Sequence, residues 1–193
     1  MLVAVVALST IAAATYEATS WTVDKSHSAV TFKVRHFFTP VNGTFDNYTA
    51  DIKFDPNNLE ESSLDVQIEV GSVNTQNEKR DGHLRTPDFF DAETYPYMTF
   101  KSSEIMKTGD NTFVAKGELT IKDVTREIEL PFTLLGVMDI ERQSKKVAGI
   151  TAETNVLRND YGVGTGDYVS DAVIGNEVDI QIQLELNAPI SSN

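Results

Sequence analysis

From Trp21 onward, apolar and polar residues take turns along the chain. The run Val178, Ile180, Ile182, Leu184, Leu186 shares one parity, while Asp179, Gln181, Gln183 and Glu185 share the other. Alternate side chains of a strand point to opposite faces, whereas a helix would scatter these apolar positions around its circumference. The same period appears in Val30, Phe32, Val34, in Leu64, Val66, Ile68, Val70, in Phe113, Ala115, Leu119, Ile121, and in Ile128, Leu130, Phe132, Leu134. Weaker versions occur at Tyr48, Ala50, Ile52, Phe54, at Met98 and Phe100, and between Val147 and Val156, so the pattern predicts eight strands.

Short turn signals separate them: TPVNGTF at 39–45, FDPNN at 54–58, TGDN at 108–111 and IGNE at 174–177. Connections this short join antiparallel neighbours, which gives an all-β, up-and-down meander. Each strand has one oily face, and a flat eight-stranded sheet would leave that face and two edges exposed. Closing it into a barrel removes both liabilities. A two-sheet sandwich satisfies the same pattern and stays open at this point. Pro131 cannot donate to a ladder and marks an edge or gap in its strand.

One stretch breaks the alternation: TQNEKRDGHLRTPDFFDAETYP, residues 75–96. Thr75 followed by Glu78 is a capping-box spacing and Pro87 stops helix continuation, which predicts a short helix over 76–85. Its surface is polar, with Leu84 as the one aliphatic anchor, so Phe89 and Phe90 are expected to pin the following loop into the barrel end. Arg80, His83 and Arg85 then either present donors to a ligand head group at the mouth or form local ion pairs on a solvated helix.

Composition narrows the chemistry. The 193 residues suit one domain, and a net charge of −13, with sixteen Lys and Arg among twenty-nine Asp and Glu, argues against nucleic acid as a partner. There is no cysteine, which removes thiolate metal sites, thiol nucleophiles and disulfides. Residues 1–14 carry no charge and, with Ala12 and Ala14 before Thr15, read as a signal peptide. That segment is too short to anchor in a bilayer, so no stable membrane insertion is expected. Residues 15–20 are expected to form a loose leader, 21–188 the domain and 189–193 a tail, with the protein secreted or periplasmic.

His27, His36 and His83 have no spacing that forces them together, so no metal site is expected; His36 shares the inward parity of Val34. The glycines of VLRNDYGVGTGD, residues 156–167, follow no phosphate-binding pattern, and Arg158 with Asp160 either closes the barrel or meets the polar end of a ligand. No hydrolase or metalloprotease motif occurs.

The segments WTVDKSHSAVTFKVRH, NEKRDGHLRTPDFFDAETYPYMTFKS, GELTIKDVTREIEL and RNDYGV resemble successive motifs of the YceI-like family, periplasmic bacterial polyisoprenoid-binding proteins. The resemblance spans about residues 21–187; the uncharged start and Pro131 depart from it. It implies a lipocalin-like eight-stranded antiparallel barrel whose lumen holds an isoprenoid lipid or quinone tail, with no established catalytic step and no catalytic cofactor. On that reading the lining is Val30, Phe32, Val34, His36, Phe45, Ile52, Val66, Ile68, Phe100, Leu119, Ile121, Ile180 and Ile182. Arg80, His83, Arg85, Phe89, Phe90, Arg158 and Asp160 form a lid or head-group site. Burying ~400 Å² of tail at ~25 cal/mol per Å² gives about 10 kcal/mol, against an association cost of ~4–15 kcal/mol. A carrier is therefore the leading expectation. Two others remain: an enzyme acting on a prenyl or acyl lipid through His36, Asp160 or Arg158, and a filled barrel that binds protein. A homodimer is left open.

Overall fold

The computed structural model describes residues 16–190, so the expected signal peptide lies outside the described residues. The described chain forms eleven strand segments and one α-helix. In order they are β1 (Ser20–Val23), β2 (Ala29–His36), β3 (Thr39–Phe45), β4 (Tyr48–Lys53), β5 (Ser63–Glu69), β6 (Val73–Asn74), α1 (Glu78–Leu84), β7 (Tyr97–Lys107), β8 (Thr112–Ile121), β9 (Val124–Ile140), β10 (Lys145–Leu157) and β11 (Ile174–Pro189).

Three bends divide what are single strands in the wall. A 3-10 turn at Lys25–His27 separates β1 from β2, and another at Val70–Ser72 separates β5 from β6. Residues 46–47 separate β3 from β4, and pairing continues across the break: Trp21 faces Ile52, and Thr31 faces Thr44. Eleven segments thus make eight strands, as predicted, each antiparallel to its neighbour, but the turns expected at 39–45 and 174–177 are strand: residues 39–45 form β3 after a turn at Phe37–Phe38, and 174–177 begin β11. The sheet closes because β11 pairs with β2 from Val178 to Gln183 and with β1 at Leu186 and Asn187. Closure joins the first strand to the last, which excludes the sandwich and gives the antiparallel barrel.

The ladder between β9 and β10 stops at Phe132 opposite Ala152. Below it β9 stays in unbroken register with β8 through Pro131 down to Val124, while β10 runs on to Leu157 paired only with β11. A proline keeps register with β8 if its missing N–H faces β10, so the wall parts where Pro131 stands.

The side chains inside fall into two clusters. At the end carrying the 54–62 and 108–111 connections, Trp21, Ile52, Phe54, Phe113, Phe132 and Leu186 are packed solid. Phe54 meets Phe113 and Phe132 at ring-centroid distances of 5.1 and 5.4 Å, Phe113 stacks on Phe132 at 5.3 Å, and Trp21 Nε1 donates to the Phe54 carbonyl at 2.9 Å. At the opposite end, Phe45, Val70, Val73, Met98, Ile121 and Tyr161 gather with Phe89 beneath the 75–96 and 158–173 insertions.

Residues 16–20 are docked rather than loose. Ala18 is buried, the Thr19 carbonyl accepts from the Phe54 N–H at 2.9 Å, and Ser20 pairs with Lys53. Ala18 precedes β1, and a single small apolar residue outside the strand gave no visible period.

Candidate functional site

Between the two clusters lies an apolar cavity of about 190 Å³ that is partly open to solvent. Eleven of the thirteen expected lining residues surround it: Val30, Phe32, Val34, Phe45, Val66, Ile68, Phe100, Leu119, Ile121, Ile180 and Ile182. They meet because each strand contributes its inward parity at the same height in the barrel. Gly43 faces Phe32 across the β2–β3 pair, and a Cβ at Gly43 would stand 2.3 Å from the Phe32 ring. The missing side chain at Gly43 therefore gives the Phe32 ring its place in the wall.

Two expected residues stand elsewhere. Ile52 is 2% exposed and belongs to the packed aromatic end, below the cavity. His36 is exposed at the last position of β2, its ring against Phe37 at 4.7 Å, because the wall ends there and nothing encloses its inward parity. Leu84, Met98, Ile128, Leu130, Val156, Val163, Ile174 and Val178 complete the lining. Most of these were visible as inward-parity residues, but parity does not give height along the axis.

The insertions close the mouth end. Phe89 and Phe90 line the cavity, and Phe90 meets Phe45 at 5.9 Å. The helix is shorter than expected and starts differently. Asn77, not Thr75, caps it by accepting from the Arg80 N–H at 3.0 Å, because Gln76 turns through a left-handed φ of 59°. Thr75 instead binds the buried Asp81: the Thr75 N–H donates to the Asp81 carboxylate at 2.9 Å and its hydroxyl donates to the same oxygen.

The helix cations are fasteners. Arg80 donates to the Thr75 hydroxyl and carbonyl at 2.7 and 2.8 Å, and Arg85 donates to the carbonyls of Gly71 and Val73 at 2.8 and 3.1 Å. His83 lies 3.4 Å from Asp88, with Phe89 and Tyr168 each at 5.0 Å from its ring. None of the three lines the cavity. Asp160 faces outward, 3.7 Å from Arg126, whose Nε also donates to the Asp160 carbonyl at 3.2 Å.

Arg158 is the one expected cation that reaches the cavity wall. It is buried, and its guanidinium donates to the carbonyls of Gly175, Val163 and Ile174, each at 2.8 Å, and to Asn159 Oδ1 at 2.9 Å. Four of its five N–H groups are thereby used on the protein. Burial pulls its pKa down and the nearby Asp171 carboxylate pulls it back up. Gly164, at φ +91°, passes so close that a Cβ there would stand 2.3 Å from Arg158 Nη1.

The wall is therefore hydrocarbon. An apolar void of about 150 Å³ stays dry and admits a benzene ring. This cavity is suited to an apolar chain segment, and among the described residues no acid, base and nucleophile converge on its surface. His36, Arg158 and Asp160 stand in three separate surroundings. The three histidines do not converge either: His27 lies beside Asp24 and Glu185, at 3.2 and 3.8 Å, at the far end of the barrel. A depression of about 1060 Å³ on the outer face, crossed by the Lys33–Asp179 ion pair and bordered by Asn42, Asn74 and Arg80, is polar and open to solvent.

The YceI-like domain matches residues 21–186. Protein YceI of Escherichia coli O157:H7 is 32% identical over 171 residues, covering 87% of this chain and 86% of that protein. The crystal structure of the Campylobacter jejuni YceI protein aligns with a TM-score of 0.71 at 35% identity, covering 86% of this chain and 96% of that one. A polyisoprenoid binding domain from Saccharophagus degradans, implicated in plant cell wall breakdown, shares the fold at 16% identity with a TM-score of 0.67 over 89% of this chain and 99% of that one.

Proposed function

The chain belongs to the YceI-like family, and from that membership and its hydrocarbon-lined cavity we propose that it is a carrier that shelters an isoprenoid chain from water. The observation that carries the reading is the cavity itself. An apolar space of this size gains nothing from water, which would find too few polar partners inside it, and gains dispersion contacts and burial from a hydrocarbon guest. A solved domain of the same fold is described as polyisoprenoid binding, which supports this class of guest.

The lining recognises tail rather than head. Arg80 and Arg85 are committed to the protein backbone and Arg158 to three carbonyls and an amide, so the polar end of a prenyl lipid or quinone rests outside the enclosed part. The guest is carried unchanged. The apolar stretch at residues 1–14 supports export, and we place the carrier in the periplasm or outside the cell, where it moves lipid through water.

Organic extraction of purified protein followed by mass spectrometry is the test. A co-purifying prenyl lipid, or retention of added farnesol after gel filtration, is expected; protein that is empty and retains no added prenol would overturn the proposal. Ile180→Glu sharpens it by placing a carboxylate against the guest, at a cost of several kcal/mol. The folded variant should lose retention at least tenfold.

A further inference from the structure

The barrel closes, but its wall is not paired everywhere. On the β8 side the last bond of β9 is the Leu134 N–H donating to the Asn111 carbonyl at 2.9 Å, just past the Thr112–Thr133 pair where the β8 ladder begins. From there β9 runs on through residues 135–140 at the packed end of the barrel. Leu135 is the extra residue of a bulge opposite Gly149 and Ile150, and residues 136–140 pair with β10 alone. Among the described residues nothing pairs with the other side of this overhang, which therefore presents a row of free backbone donors and acceptors. Its side chains are apolar and exposed, with Leu135 at 66%, Val137 at 49% and Met138 at 65%. Edge strands that stay single are guarded by lysine, proline or inward charge, and this one holds neither Lys nor Pro and carries only the charge of Asp139.

We propose that residues 135–140 are a pairing edge for a second copy of this chain, which adds its own β9 edge antiparallel across a two-fold axis. A strand edge is satisfied by another extended strand, because only that supplies acceptors and donors at the spacing of the free N–H and C=O groups. Under a two-fold axis this segment is its own complement: the free groups of one copy meet those of the other, and the exposed apolar side chains meet each other. Charge favours the same partner. The chain carries −13, which keeps copies apart, yet the hairpin bearing the edge sets Arg142, Lys145 and Lys146 against Asp139 and Glu141. Two copies can approach there without opposing one acidic surface to another. Such pairing uses up the edge on both copies and stops at a dimer. The contact lies far from the mouth and does not depend on what the lumen holds.

Sedimentation velocity and light scattering of the purified protein test the proposal. Wild type should be a dimer that tightens with added salt, since screening weakens the repulsion between two acidic molecules. Met138→Lys and Leu135→Lys place a guarding charge at exposed positions, so they should associate at least tenfold more weakly while keeping the wild-type circular dichroism. The chain has no cysteine, so a single Met138→Cys reports the contact directly. On oxidation it should give a disulfide-linked dimer, whereas Phe38→Cys, at a position 97% exposed in the β2–β3 turn at the mouth end, should not. Wild-type protein that stays monomeric in high salt would overturn the second copy as the occupant. Species larger than a dimer, folded lysine variants that associate as wild type does, or equal cross-linking through Phe38→Cys would overturn it as well.

Discussion

Arg158 shows how one side chain joins the mouth of the barrel to its wall. Its guanidinium collects the carbonyls of Val163, Ile174 and Gly175, which belong to the 158–173 insertion and the start of β11. Lysine presents three donors on a single nitrogen and cannot span these acceptors, so the planar fork is required. Arg158→Met keeps the bulk near the cavity but leaves three carbonyls short of partners, an expected loss of about 3 kcal/mol in a urea denaturation series. A loss under half a kcal/mol would show that these carbonyls find other donors. The sequence displayed Arg158 beside flexible glycines and left its role divided between closure and ligand contact. Closure is what the hydrogen bonds support, and the direction of a guanidinium depends on carbonyls from β11 that no local motif announces.

The 75–96 insertion is held by charge turned inward. Asp81 is 6% exposed and accepts twice from Thr75, while Arg80 binds the Thr75 carbonyl and Arg85 the carbonyls of Gly71 and Val73 in the segment before the helix. A short helix with one aliphatic anchor has little apolar face to hold it, and these bonds supply what the face lacks. Asp81→Ala should therefore loosen one element without loosening the barrel. In amide hydrogen exchange, residues 75–92 should exchange at least tenfold faster, while Phe113 and Leu186 in the packed end stay protected. Faster exchange everywhere would mean that the insertion is part of the barrel's cooperative unit. The existence of this helix, the pinning by Phe89 and Phe90, and the parting of the wall at Pro131 were legible in the sequence. The cap was not: Asn77 replaced Thr75 because a left-handed residue at Gln76 moved the start of the helix, and that conformation has no periodic signal.

At the scale of the molecule, the barrel is half plug and half vessel. Period two identified the inward face of eight strands, so antiparallel strands with one shared oily side could be read from Val178 to Leu186 and its counterparts, whereas closure over a two-sheet sandwich could not, because both satisfy the same alternation. The period is silent about depth. Ile52 and Ile68 have the same character on neighbouring strands, yet one is sealed beside Phe54 and the other lines the cavity. Filling depends on which large residues from distant strands arrive at one height, as Phe54, Phe113 and Phe132 do. The aromatic end gives the fold its stability, since each such ring contributes roughly 1.5–3 kcal/mol on burial. The emptier end is thereby free to give up packing for a guest.

The central claim is that a prenyl chain occupies the mouth half of the barrel and leaves the other half undisturbed. Methyl-labelled isoleucines divide along that line, with Ile68, Ile121 and Ile180 on the cavity and Ile52, Ile105 and Ile150 in the packed end. Titrating the protein with farnesol and recording methyl NMR spectra with intermolecular nuclear Overhauser effects tests the claim directly. The account predicts contacts and shifts at Ile68, Ile121 and Ile180 with Ile52, Ile105 and Ile150 unmoved. Contacts confined to surface methyls, or an unchanged spectrum at saturating farnesol, would contradict it.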